Sequence, residues 1–140
     1  MAAETKIHIR HSDIDSMGIV HHSVYPLWFE AGRIGFLKGC GILSGMLNTL
    51  GLHIPLTELK CSYKWPVKYG DKIMVITRLI YLSYVKIKFG YLVIGKSDGK
   101  IRAAGSTTHA WTNGRLEPVN LLKASPEIFA RLKQFAEPDK

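Results

Sequence analysis

A chain of 140 residues, 46% of them apolar, is long enough to bury a sizeable core and too apolar to stay disordered. Lys and Arg outnumber Asp and Glu, 19 − 11 = +8, which suits an anionic partner, yet the basic residues are scattered and no recognised nucleic-acid motif accompanies them. No apolar run approaches the roughly 20 residues of a membrane span, the N-terminus lacks the apolar core of a signal peptide, and Cys40 and Cys61 have no CxxC spacing, so a soluble cytoplasmic protein is expected.

The first predicted element is a half-buried strand over Thr5–His11, with Ile7 and Ile9 on one face and Lys6, His8 and Arg10 on the other. Ser12 and Asp13 favour a turn, and Gly18 marks a position of unusual backbone conformation. A long helix is then expected from about Ser23 to Lys38. Val24, Leu27, Trp28, Ala31, Ile34 and Gly35 share one face, Tyr25, Phe29, Gly32 and Phe36 fill the flank, and only Glu30 and Arg33 are polar. Ser23 is the candidate N-cap, and Pro26 falls in the first turn, where its missing N–H costs little. Gly32 and Gly35 weaken the helix, which predicts close approach of its backbone to a sheet.

A short helix is expected within Ile42–Leu50, closed by Gly51, after which the period changes to two. From Pro55 to Trp65 the odd positions Leu59, Cys61, Tyr63 and Trp65 are apolar, and Pro66 ends that strand. Ile73–Tyr81 and Val85–Val93 read as further strands, and Asp98-Gly99 as a hairpin into Ile101–Thr112. Ser125-Pro126-Glu127 opens a terminal helix. With no repeat and no linker, residues 1–140 are expected to form a single α+β domain. Its five-stranded antiparallel sheet, four strands of it in meander, curls around the central helix.

Two aspartates, Asp13 and Asp15, precede that helix. A carboxylate there meets exposed N–H groups and the positive end of the helix dipole, an arrangement suited to chemistry on a carbonyl. The segment Asp13-Ile14-Asp15-Ser16-Met17-Gly18-Ile19-Val20, followed by Tyr25 and Trp28-Phe29-Glu30-Ala31-Gly32-Arg33, resembles the hotdog-fold thioesterases of the 4-hydroxybenzoyl-CoA thioesterase type. Tyr63-Lys64-Trp65-Pro66-Val67-Lys68-Tyr69-Gly70-Asp71 is a second such segment, and the resemblance spans about residues 5 to 120. It departs from the family at His21-His22-Ser23-Val24, where relatives often carry an aromatic residue or an asparagine.

The resemblance implies a hotdog fold and a metal-independent acyl-CoA thioesterase without a cofactor. Asp15 would be the catalytic carboxylate, as nucleophile or general base, and the backbone N–H at His22 the donor that polarises the thioester carbonyl. It also implies a homodimer or homotetramer with the site at the dimer interface. Tyr25 and Trp28 are candidates for an acyl pocket. Lys86 and Lys88, alternating outward on their strand, are candidates for CoA phosphates. Asp13 reads as a loop-stabilising acceptor. Adjacent His21 and His22 are poorly placed to ligate one ion together, and His8, His11, His53 and His109 show no ligand spacing, so no metal site is expected. A hydratase would pair the aspartate with a histidine five residues on, where this chain has Val20. A non-catalytic acyl-CoA-binding domain and a carrier-protein thioesterase stay as alternatives, with nucleic-acid binding behind them.

Overall fold

A computed structural model describes residues 1–137. It contains β1 (Ala2–Ile7), α1 (Tyr25–Gly39), α2 (Ser44–Thr49), β2 (Leu56–Tyr63), β3 (Ile73–Leu82), β4 (Lys86–Gly95), β5 (Ile101–Ala110), α3 (Leu121–Ala124) and α4 (Pro126–Lys133). The strands form one antiparallel sheet in the order β1-β3-β4-β5-β2. Every second residue of β3 and β4 (Ile73, Val75, Leu79, Ile87, Phe89, Tyr91, Val93) is buried against α1, as the pleat requires. The five strands curl around one long helix, which is the hotdog arrangement.

Only β3, β4 and β5 form the meander. β2 pairs with β5 at the far edge rather than with β3, so the expected four-strand meander is corrected. The β2–β3 link, carrying Pro66 and Gly70, is too long for a tight hairpin and crosses the end of the sheet instead. β1 lies earlier than expected, ending at Ile7, although Ile9 is still buried.

The helix is also turned relative to its apolar pattern. Tyr25, Trp28, Phe29, Gly32, Phe36 and Leu37 face the core, whereas Leu27 and Ile34, placed on the main apolar face by periodicity, are exposed. The glycines decide which side meets the sheet. A Cβ at Gly32 would run into Thr77 Oγ1 and, at 2.9 Å, Val75 Cγ1; one at Gly35 would lie 2.6 Å from Thr5 Oγ1. The backbone therefore sits where a side chain has no room. Phe29, stacked on Tyr91 at 4.5 Å between ring centroids, fills the space beside it.

Candidate active site

The loop before α1 is built on Asp13. This buried carboxylate accepts the Arg10 N–H at 2.9 Å and its guanidinium Nη2 at 2.9 Å. Burial pushes the carboxyl up, but the Arg10 backbone and side-chain donors outweigh it and hold Asp13 below the usual range. The Asp13 carbonyl then takes the His21 N–H at 2.8 Å, bringing the two ends of the loop together.

Asp15 lies on the narrow loop between. Ile14 bridges Val20, the Asp15 N–H donates to Ile19 O at 2.8 Å, and Gly18 turns the chain at φ +78°. Asp15 Oδ1 accepts the Met17 N–H at 2.8 Å, while Oδ2 takes no hydrogen bond from the described residues. One oxygen orients the carboxylate and the other is open.

The helix begins with a tight turn over His22–Val24 that runs into α1. Its cap is His21, not the expected Ser23: the Ser23 N–H donates to His21 Nδ1 at 3.1 Å. Proline at the start of α1 removes one donor where helices leave donors unpaired. The His22 N–H donates to no acceptor among the described residues, the usual condition of a first-turn amide.

Loop and helix start form one wall of a cleft of about 340 Å³. Asp15, Met17, Ile19 and Val20 come from the loop, His22 and Tyr25 from the helix start, and Tyr63, Lys64, Trp65 and Pro66 from the end of β2. Tyr63, half exposed, donates its O–H to the His22 carbonyl at 2.9 Å and meets Tyr25 edge-on at 4.9 Å. Burial, helped by the neighbouring Cys61, pushes both the Tyr25 and Tyr63 phenols up to about 12, so both remain O–H donors at neutral pH.

Among the sequence candidates, the fold brings Asp15, His22 and Tyr25 to this cleft. Trp28 is not on it; it is buried behind Tyr25, ring centroids 4.7 Å apart, because it points into the core one helical turn on. Lys86 and Lys88 are not on it either. They line a separate depression with Thr57, Glu58, Tyr81 and Thr108 on the sheet face away from α1, as their alternation with buried Ile87 and Phe89 dictates. The wall from Tyr63 to Trp65 has no counterpart among the sequence candidates. Two signals pointed to it: Tyr63-Lys64-Trp65-Pro66 opens the second family-like segment, and the apolar alternation of β2 runs unbroken to Pro66 on a strand whose residues are almost all exposed.

A second polar group lies beneath the helix, off the cleft. His109 Nδ1 is 3.0 Å from the Ile54 carbonyl, which can only accept, so Nδ1 carries the proton and Nε2 accepts from Thr107 Oγ1 at 2.8 Å. Thr107 in turn takes the Tyr91 O–H at 2.6 Å. Burial first, then the nearby Arg33 charge, pushes His109 down to about 4, so it is neutral at physiological pH. Among the described residues, no three His, Cys, Asp or Glu side chains are placed to hold a metal ion.

The family model described as "Thioesterase-like superfamily" matches residues 9–132. The chain belongs to that superfamily. A Bacillus subtilis relative named "Putative acyl-CoA thioesterase YneP" is 28% identical over 126 residues, covering 89% of this chain and 91% of its own. Among solved structures, the Thermus thermophilus hypothetical protein TT1821 superposes with a TM-score of 0.89 at 30% identity, covering 99% of this chain and 100% of that one. A DHNA-CoA thioesterase from Staphylococcus aureus gives 0.90 at 24% identity over 95% and 89% of the two chains, which is a likeness of fold. This thioesterase-like chain is thus a hotdog thioester hydrolase. None of its helices, among the described residues, is long and apolar enough to cross a membrane.

Proposed function

We propose that this hydrolase cleaves an acyl-CoA thioester to the free acid and CoA–SH at the Asp15 cleft. The observation that carries the reading is the placement on one cleft, at the start of a buried helix, of an oriented, open carboxylate and of His22, whose N–H has no acceptor among the described residues. Asp15 either takes a proton from the attacking water or attacks the carbonyl itself, giving a mixed anhydride that water then opens. On either route one water is consumed, the C–S bond breaks and the thiol leaves with a proton. Charge gathers on the carbonyl oxygen, where the His22 N–H is the donor. Tyr25, Met17 and Trp65 provide apolar walls for the acyl group.

The working unit in this reading is a homodimer. β2 is an edge strand with its outer backbone unpaired and Leu56, Leu59 and Tyr63 exposed, which invites pairing with a second β2. Antiparallel pairing about a two-fold axis sets the Leu56 end of one β2 beside the Tyr63 end of the other. That puts the Lys86 and Lys88 depression of one protomer at the same end of the joined sheet as the Asp15 cleft of its partner, and in this reading those lysines take the CoA phosphates on the outer face. The unpaired cysteines, their thiols pushed up by burial, fit a reducing cytoplasm.

The test is thiol release from a panel of aliphatic and aromatic acyl-CoA and acyl-carrier-protein thioesters. Turnover of an acyl-CoA is expected, with Asp15→Asn reducing kcat by about 100-fold or more. A wild type that binds CoA yet releases no thiol from any member is instead a binding module. Full activity in Asp15→Asn would remove this residue from the mechanism.

A further inference from the structure

We propose that Tyr63 is a positioning residue for this hydrolysis: by donating its phenol O–H to the His22 carbonyl, it holds the helix's first turn so that the His22 N–H keeps its place in the cleft. The inference rests on the reading of His22 as the oxyanion donor.

Three observations support it. The 2.9 Å bond joins residues 41 apart in sequence and is the one side-chain hydrogen bond, among the described residues, between β2 and this turn. The turn needs such a tie, because it lies ahead of the regular ladder of α1 and helix ends fray. Its one side-chain cap comes from the residue just before it, His21, whose Nδ1 meets both the Ser23 N–H and Oγ. Tyr63, by contrast, reaches it from the sheet.

The ring is held as well. Tyr63 stands edge-on to buried Tyr25, at 87° between ring planes, so the phenol approaches His22 from a fixed direction. The bond also lies on the wall that an acyl group would cover. A substrate in the cleft displaces water from it, and a hydrogen bond shielded from water is stronger. The turn is then stiffest with substrate bound, when the tetrahedral intermediate forms.

The experiment is Tyr63→Phe, which removes only the hydroxyl and keeps the ring against Tyr25. Removing an oxyanion donor outright lowers the rate by about 100- to 1000-fold. Loosening one should do less: kcat is expected to fall about tenfold, with KM within about twofold and an unchanged thermal midpoint. A trifluoromethyl ketone analogue of the thioester, which mimics the tetrahedral species, should lose affinity by the same factor as kcat/KM, while CoA alone binds as before. Backbone amide exchange supplies a readout independent of activity, with the hydrogen-bonded Ser23 and Val24 amides of the turn exchanging faster in the variant than in the wild type. Unchanged kcat, or unchanged exchange at both amides, overturns the proposal. Should the wild type prove inactive on every thioester, the function proposed above fails, and amide exchange still decides whether Tyr63 orders the turn.

Discussion

His109 shows how one buried side chain sets a pH limit on the whole fold. Its imidazole is neutral because burial and the Arg33 charge oppose protonation, with an ordinary value of 6.5 pushed down to about 4. The unfolded chain therefore binds the proton more readily between those values, and stability must fall as pH drops through that window. It is complete above about pH 6.5 and levels off below about pH 4, a change on the order of 3 kcal/mol. Urea midpoints measured against pH should show this slope, and His109→Gln should flatten it while lowering stability at pH 7. Sequence alone leaves His109 one of six scattered histidines: Thr107 is two residues away on its own strand, but Ile54 comes beside it only where the chain leading into β2 runs along β5. Asp15 differs. Its motif was legible along the chain, since the loop and helix that place it are contiguous in sequence.

At the scale of elements, α1 is where local pattern and tertiary contact disagree. Periodicity puts Leu27 and Ile34 on the apolar face, yet both are exposed and the face with Gly32 meets the sheet. Nearly every position on this helix is apolar, so the pattern has no strong direction and backbone fit selects the side. Gly32→Ala tests this. Helix propensity alone predicts a gain of about 1 kcal/mol. The clash with Thr77 and Val75 predicts a net loss of about 1–3 kcal/mol instead, read from the urea midpoint. β2 makes the complementary point. Its alternation announced a strand, but no local feature said that it would leave β3 and pair with β5.

For the whole molecule, the arrangement of clefts on one protomer predicts how two would share work. Lys86 and Lys88 lie on a different depression from Asp15 within a chain. Under β2-edge pairing they serve the partner's site, so mixed dimers of Asp15→Asn with a Lys86→Ala, Lys88→Ala chain should contain one intact site each. About half the wild-type turnover at the wild-type KM is expected; the raised KM of the double lysine variant would place the lysines with their own chain's Asp15. The sequence by itself determined the antiparallel strands, the buried helix, the Asp15 loop and the thioesterase family, because each depends on residues close together in the chain or on a contiguous motif. Only the tertiary structure decided the edge position of β2, the turned face of α1, the burial of Trp28 behind Tyr25, the separate depression that holds Lys86 and Lys88, and the bond from Tyr63 to His22. Those outcomes depend on which distant surfaces fit without a clash and which polar groups find partners, and neither is recorded in the local order of residues.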